Sequence, residues 1–130
     1  MTNFKTTNYD TGDFLIRIKN AAMAKNKEVT ARADKKVVAI AEALKKMGYL
    51  DSVKKEDGKL TVGLTFKDKK PLLMNVTLVS KPGLRVYKSI AEIESKKSPA
   101  TYLISTTKGV ISTKEAVKSR VGGEVIAEIL

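Results

Sequence analysis

The chain has 130 residues, and its 25 Lys and Arg against 14 Asp and Glu give a formal net charge of +11 at pH 7. An excess of positive charge of this size predicts a polyanionic partner, of which nucleic acid is the commonest. The absence of Cys excludes disulfides and thiolate metal sites, and the absence of His removes the side chain most often used for proton transfer near neutral pH.

The composition also bounds the fold and the cellular compartment. A hydrophobic share of 42% is enough for a packed core in one domain or in two very small ones. No run approaches the roughly 20 apolar residues that span a bilayer, and residues 1–10 lack the apolar centre of a secretory signal. We therefore expect a cytoplasmic protein with no membrane partner, no metal, no cofactor and no small-molecule substrate.

The first part of the chain predicts a helix that begins near its tenth residue. Asp10 suits the N-cap, and Asp13 suits the first turn, where the helix dipole favours an acid. The apolar residues that recur at helical spacing are Phe14, Leu15, Ile18, Ala22 and Met23. Arg17 and Asn20 fall outside this stripe, so they face either solvent or RNA.

A short strand around Val29, a second helix and a hairpin complete the first half. Asp34 is the expected N-cap of the helix, and Gly48 is its expected C′ residue. The predicted buried side of the helix consists of Val37, Val38, Ile40, Ala41, Leu44 and Met47. Asp57-Gly58 suits a tight hairpin turn that follows a strand over residues 49–55. The alternating apolar residues of the next strand are Leu60, Val62, Leu64 and Phe66.

The predicted fold class is α+β, with two small domains. The N-terminal domain, residues 1–70, reads α-β-α-β-β, with two helices on one face of a small sheet. The charged, Pro-containing segment 67–71 marks the boundary. The C-terminal domain, residues 71–130, is expected to be mostly antiparallel β with short helices. Its predicted strands cover 72–80, 84–88, 102–107, 110–112 and 124–130.

Turns and caps separate these strands. Pro82-Gly83 suits the centre of a type II turn. Ser89 is expected to cap a short helix, and a loop follows at 96–99. Thr113 is expected to cap a second short helix. Gly122-Gly123 predicts a flexible turn.

The hydroxyl-rich segment between two of these strands is the best candidate for a binding site. Ser105, Thr106 and Thr107 lie beside the positive charge of Lys108, and the turn is expected at Lys108-Gly109. Small hydroxyl side chains can approach a nucleic-acid backbone closely and donate hydrogen bonds to phosphate, ribose or base edges. The same residues are ordinary turn formers, so a plain hairpin turn is the competing interpretation.

A basic and an aromatic side chain share one face of the predicted strand 84–88. Arg85 suits neutralisation of phosphate, and Tyr87 suits stacking on a base or ribose. The alternative is that Tyr87 is half-buried and Arg85 merely solvated.

Three segments, taken together and in this order, form a pattern that is specific enough to indicate a protein family. They are Ser80-Lys81-Pro82-Gly83-Leu84-Arg85-Val86-Tyr87, then Leu103-Ile104-Ser105-Thr106-Thr107-Lys108-Gly109-Val110 with Lys114-Glu115-Ala116, and Gly122-Gly123-Glu124-Val125-Ile126-Ala127. With a first helix that also matches, residues 10–130 resemble the bacterial form of the universal small-subunit ribosomal protein number eight.

The resemblance implies a structural constituent of the small (30S) ribosomal subunit that binds the central domain of 16S ribosomal RNA directly and helps to assemble the subunit platform. It implies small-subunit proteins five and twelve as neighbours. The family's Ser-Thr-Ser loop maps onto residues 105–107, and the first helix with its following turn would approach a second RNA helix. The rRNA-binding residues predicted from the resemblance and from residue chemistry together are Lys81, Arg85, Tyr87, Ser105, Thr106, Thr107, Lys108, Gly109, Gly123, Glu124, Arg17, Asn20 and Lys25.

The chain departs from the family pattern at four places. Thr107 replaces the second Ser of the loop, and Asp10-Thr11 replaces Asp-Pro. The Pro after the first strand is missing from residues 30–34, and residues 98–102 replace a Gly-Leu-Gly-Ile-Ala segment. These changes keep the RNA-contacting residue types but alter the entry to the first helix and the start of the strand before the loop.

Two other classes of function compete with this one. Ser105 with Lys108, or the run Ser112-Thr113-Lys114, is similar to the Ser/Lys nucleophile pair of some enzymes. Without His, Cys or clustered carboxylates, however, we expect no enzyme. A basic nucleic-acid-binding architectural protein outside the ribosome is the remaining alternative, since charge alone does not exclude it.

Overall fold

The computed structural model describes residues 10–95 and 100–130, so the loop predicted at 96–99 lies outside the described residues. Helices and antiparallel strands are mixed along the chain, which confirms the α+β class. In chain order the elements are α1 (Asp10–Met23), β1 (Glu28–Arg32), α2 (Lys35–Lys46), β2 (Leu50–Glu56), β3 (Lys59–Leu64), β4 (Phe66–Lys67), β5 (Lys70–Pro71), β6 (Val76–Leu78), β7 (Tyr87–Lys88), α3 (Ile90–Glu94), β8 (Thr101–Thr106), β9 (Gly109–Ser112), α4 (Thr113–Ser119) and β10 (Gly123–Ile129).

The first half follows the predicted α-β-α-β-β order. Strands β1, β3 and β2 form an antiparallel sheet in that spatial order, and α1 and α2 pack against it. Asp57 and Gly58 both have positive φ, 49° and 75°, as the predicted hairpin turn requires. The predicted alternation holds for Leu60, Val62 and Leu64, which are all buried, but β3 ends at Leu64, and Phe66 is half-buried in β4.

Both helices differ from the prediction in detail. Asp10 is already the first helical residue of α1 instead of its cap. Met23, the last residue of α1, is 69% exposed, so the buried stripe ends at Ala22. Asp34 does occupy the N-cap of α2, although its side chain accepts no capping hydrogen bond. Gly48, with a φ of +96°, ends that helix as predicted.

The larger sheet forms in the second half, around the last strand. β10 pairs with β8 on one side and with β6 and β7 on the other, and β9 adds to the far side of β8. A bulge shifts the β10–β8 register between Val125 and Ala127. Because β10 is central, Val125, Ile126, Ala127 and Ile129 are all buried.

Several predicted strands and turns of this half are corrected. The strand at 72–80 shrinks to β6, the strand at 84–88 shrinks to β7, and the charged junction 67–71 is largely the small β4–β5 hairpin. Gly83 lacks the positive φ that a type II turn requires. The turn across Lys81 and Leu84 is nevertheless closed by hydrogen bonds in both directions, each 2.8 Å from backbone nitrogen to carbonyl oxygen.

Capping at the short helices is partly as predicted. Ser89 caps α3 and forms a reciprocal capping box with Glu92, whose carboxylate accepts a hydrogen bond from the Ser89 N–H at 2.9 Å. That backbone hydrogen bond, followed by the one with the Ser89 side chain, holds the pKa of the Glu92 carboxyl below its ordinary value. For α4 the cap is Ser112 and not Thr113, because the Thr113 hydroxyl accepts a hydrogen bond from the Tyr102 N–H at 2.7 Å.

The largest hydrophobic cluster draws on both halves of the chain. Phe14 and Ile40 from the helices share it with Leu73, Leu103 and Ile129 from the second half. A smaller cluster under α3 and α4 contains Ile93, Ile104, Ala116 and Val125. The domain boundary near residue 70 stays a prediction. Within the described residues, no helix is long and apolar enough to cross a membrane.

Candidate nucleic-acid interface

The hydroxyl segment forms the end of the β8–β9 hairpin, with Thr107 and Lys108 at its tip instead of the predicted Lys108-Gly109. Thr106 and Gly109 face each other across the pair, and Gly109 has a φ of +104°, a conformation that favours glycine. The Thr106 hydroxyl donates to the Gly109 carbonyl oxygen at 2.9 Å and accepts from the Lys108 N–H at 3.0 Å. A side chain therefore closes this turn from inside.

The three hydroxyls of this segment differ in whether they are available to a ligand. A Thr hydroxyl has a single proton to donate, and that of Thr106 is donated to the Gly109 carbonyl oxygen. The hydroxyls of Ser105 and Thr107 make no hydrogen bond with any residue that the structure describes. Ser105 is half-buried, and Thr107 and Lys108 are exposed. Ser105 and Thr107 are thus the two hydroxyls that can donate to an external ligand.

A row of side chains crosses four strands beside this turn. Glu124 of β10 lies opposite Tyr87 of β7 on one side and opposite Ser105 of β8 on the other, and Ser105 in turn faces Val110 of β9. Tyr87 is 68% exposed, so the alternative of a half-buried ring is wrong. An Arg85 Nη1 atom lies 3.4 Å from a Glu124 carboxylate oxygen, so Arg85 is not merely solvated. Stacking, acceptor and cationic groups are therefore adjacent.

Two glycines allow the strands of this row to approach closely. A Cβ atom on Gly123 would overlap the carbonyl oxygen of Ser105, and one on Gly122 would lie 2.5 Å from the carbonyl oxygen of Lys88. Gly123 is already the first residue of β10, paired with Lys88. The predicted flexible turn is wrong, because these glycines are needed for backbone contact and not for freedom of motion.

A buried serine holds the preceding segment in place. Ser80 is fully buried, and its hydroxyl donates to the Val125 carbonyl oxygen at 2.7 Å and accepts from the Val86 N–H at 2.9 Å. The Val125 N–H donates to the Val86 carbonyl oxygen at 2.8 Å. Both ends of the loop that carries the exposed Lys81 and Arg85 are thus attached to the central strand.

A groove of about 500 Å³ joins this row to the first half of the chain. Arg85, Ser105 and Glu124 line one wall, and Lys35 and Lys36 at the start of α2 line the other. Acids are stabilising in the first turn of a helix and cations are not. Lys35 and Lys36 stand in the first turn of α2 with no acid there, an unfavourable placement that was visible in the sequence, although neither was among the predicted site residues.

The N-terminal candidates lie on a separate surface. Arg17 is held by Asp13 at 3.1 Å and donates to the Thr30 carbonyl oxygen at 3.3 Å. Asn20 is exposed one turn further along α1, and Lys25, with a φ of 60°, follows the helix end. Asp10 and Thr11 at the start of α1 line the groove, so at 1.5 Å per residue Arg17 lies about 10 Å further along the helix and Lys25 about 20 Å. The structure does not bring these residues together with the hydroxyl turn.

Comparison with known proteins identifies the family. A family model described as "Ribosomal protein S8" matches residues 10–130. The chain belongs to this family. It is 42% identical over 125 residues to the small ribosomal subunit protein uS8 of Chloroflexus aggregans, covering 91% of this chain and 94% of that protein. It is also 42% identical over 123 residues to uS8 of Mycoplasmopsis synoviae, with 90% and 93% covered.

A third relative, uS8 of Alcanivorax borkumensis, is 39% identical over 121 residues, with 90% of this chain and 93% of that protein covered. The family resemblance inferred from the sequence is confirmed. The ribosomal protein S8 family is a family of structural constituents of the small ribosomal subunit and not of enzymes. In the part of the chain that the structure describes, no group of three or more acidic, His or Cys side chains could hold a metal ion.

Proposed function

We propose that this ribosomal constituent binds the central domain of 16S ribosomal RNA directly, through the β8–β9 turn, and helps to assemble the subunit platform. In that position small-subunit proteins five and twelve are its neighbours. The supporting observation is the turn itself, whose backbone is closed by Thr106 and whose Ser105 and Thr107 hydroxyls make no hydrogen bond with a described residue.

The chemistry of this turn suits an irregular RNA helix. The major groove of A-form RNA is too narrow for side chains to read, whereas its minor groove is shallow and displays 2′-hydroxyls. Short hydroxyl side chains at a hairpin tip can reach that surface, and Lys108 supplies charge for phosphate. Glu124 can accept from a base amino group, and the exposed Tyr87 ring can stack on a base or ribose.

The groove and the first helix extend the proposed footprint. Arg85, Lys35 and Lys36 lie on the walls of the groove and suit the phosphates that flank the recognised site. Arg17, Asn20 and Lys25 would approach a second RNA helix, because they lie on a separate surface. Lys81 suits a phosphate contact at the margin of the first surface, and Gly109 and Gly123 contribute backbone shape.

Binding of a 16S central-domain transcript tests the proposal. Ser105→Ala and Thr107→Ala should each weaken binding by roughly 5- to 30-fold, which corresponds to a lost hydrogen bond of about 1–2 kcal/mol. Thr77→Ala is the matched control, since Thr77 is an exposed strand residue of β6 that does not line the groove beside the turn. Wild-type affinity in both loop variants would exclude the turn as the reading element.

Competition with duplex DNA separates this function from that of a general architectural protein. Unlabelled duplex DNA should displace the transcript only at a large excess, because the hydroxyl turn is expected to test ribose 2′-hydroxyls. Equal competition by DNA and by the transcript would favour the architectural alternative. Cross-linking within purified small subunits then tests proteins five and twelve as neighbours.

A further inference from the structure

A second and larger groove lies where α4 meets the end of α2. Its volume is about 810 Å³. Its walls come from the end of α2, the residue before β2, the start of β8, the end of β9, and α4. The lining includes charged and hydroxyl-bearing side chains, namely Lys46, Tyr49, Lys114, Glu115, Lys118 and Ser119.

This groove is distinct from the hydroxyl turn. Thr101 at the start of β8 and Ser112 at the end of β9 line it, so it lies at the opposite end of the hairpin from the turn. Four residues of β9 at about 3.4 Å each separate the two by about 14 Å. None of the residues assigned to RNA contact in the sequence analysis lines this groove.

The groove carries an excess of positive charge. Lys114 and Lys118 lie one turn apart on the same face of α4, and neither forms an ion pair with a described residue. Lys46 donates to a Glu115 carboxylate oxygen at 3.0 Å, which neutralises the acid of the lining and ties α2 to α4. Two lysine charges therefore remain for a ligand.

Hydroxyl donors accompany these charges. Burial raises the pKa of the Tyr49 phenol, so it stays protonated throughout the neutral range and remains a donor. The Ser119 side chain is exposed at the end of α4. Cations with neutral donors around an open groove suit phosphate oxygens, which accept from both.

We propose that this groove binds the phosphodiester backbone of RNA, as a contact separate from that of the hydroxyl turn. An acidic protein segment is the competing occupant. The cores of protein–protein interfaces are depleted in Lys, whereas phosphate contacts are made by Lys and Arg. The lysines on α4 therefore favour RNA.

Amine footprinting tests the proposal directly. The purified chain is acylated with an amine-reactive reagent when free, when bound to a protein-free 16S transcript, and within purified small subunits. Lys114 and Lys118 should be protected several-fold in both bound states. Lys67 and Lys70, exposed on the β4–β5 hairpin outside both grooves, are the control and should stay reactive. Reactive Lys114 and Lys118 in both bound states would overturn the proposal, and protection only in complete subunits would assign the groove to a protein.

A pair of double variants gives a second readout. K114Q/K118Q should reduce the slope of log affinity against log salt by about 1.5, since each phosphate contact contributes roughly 0.7–0.9. K67Q/K70Q removes the same charge and should leave the slope unchanged. An unchanged slope in both double variants would overturn the phosphate contact.

The groove and the hydroxyl turn can fail independently. If Ser105→Ala and Thr107→Ala both bind as the wild type does while Lys114 and Lys118 are protected, the proposed role of the turn fails and the groove stands. If the turn variants weaken binding and the α4 lysines stay reactive, the role of the turn stands and the phosphate contact in the groove fails.

Discussion

Replacing Thr106 by Val tests whether this side chain builds the turn or reads RNA. Val keeps the shape of Thr but has no hydroxyl, so it removes both the bond to the Gly109 carbonyl and the bond from the Lys108 N–H. If Thr106 acts by closing the turn, Ser should restore function completely, because Ser retains the hydroxyl. We therefore expect Thr106→Val to impair RNA binding and Thr106→Ser to bind as the wild type does.

The size of the effect follows from the two bonds. Both lie in an exposed turn, where each is worth about 0.5–1 kcal/mol net because water competes. The free energy of unfolding should thus fall by about 1 kcal/mol or slightly more. The loosened turn must be ordered when it binds RNA, which costs a similar amount of binding free energy. Binding should therefore weaken by about 1–2 kcal/mol, or roughly 5- to 30-fold.

Filter binding to a 16S central-domain transcript and urea unfolding together provide the assay. Ser105→Ala is the informative comparison, since Ser105 makes no hydrogen bond within the described protein and its loss should weaken binding without lowering stability. Thr106→Val that binds with wild-type affinity would refute the closing role. Thr106→Ser that binds as weakly as Val would show that the methyl group matters and not the hydroxyl.

Other variants address stability and electrostatics. Gly123→Ala should lower the free energy of unfolding by about 1–3 kcal/mol in urea, because its Cβ meets the β8 backbone, whereas Gly83→Ala, with open space around it, should be nearly neutral. Arg120→Gly should raise the free energy of unfolding by about 1 kcal/mol by relieving a left-handed residue with a φ of 56°, and Arg120→Ala should not. Ser80→Ala should lower the free energy of unfolding by about 2 kcal/mol, since it leaves the Val125 carbonyl and the Val86 N–H without their bonds to the hydroxyl. An unchanged urea midpoint would contradict this. Lys108→Ala should reduce the salt dependence of RNA binding by about one phosphate contact, and an unaltered slope would remove Lys108 from the interface.

The elements that depend on residues adjacent in the sequence were predicted correctly. In helix α2 the apolar stripe packs into the core and Gly48 ends the helix, and Asp34 occupies the N-cap position although it makes no capping hydrogen bond. The Asp57-Gly58 turn and the Ser89 cap depend only on neighbouring residues, so they too were readable from the sequence.

Elements that depend on distant partners were predicted less well. The segment at 72–80 is apolar, but β10 pairs with it only at Val76–Leu78. Met74 and Asn75 instead donate to the Leu130 carbonyl oxygen, a contact between residues far apart in the chain. Sequence pattern cannot show where such pairing begins.

The same distinction applies to the candidate site. Ser112 and Thr113 are both good caps, and only the hydrogen bond from the Tyr102 N–H to the Thr113 hydroxyl decides between them. A Gly-Gly pair is compatible with flexibility or with close approach, and only the position of β8 shows which applies. The lysines at the start of α2 become part of a groove only because both halves share one core.

The precision of the proposed RNA contact depends on backbone packing more than on charge. Lysines on flexible stems can follow a phosphate that moves, so they supply affinity without fixing position. A hydroxyl on a short side chain has little reach, so its location must be set by the strand that carries it. Here Gly123 allows β10 to lie directly against the backbone of Ser105, and Ser80 fastens the neighbouring loop to the same strand. A substitution at either residue should therefore change which RNA is preferred before it changes how strongly RNA is bound at low salt.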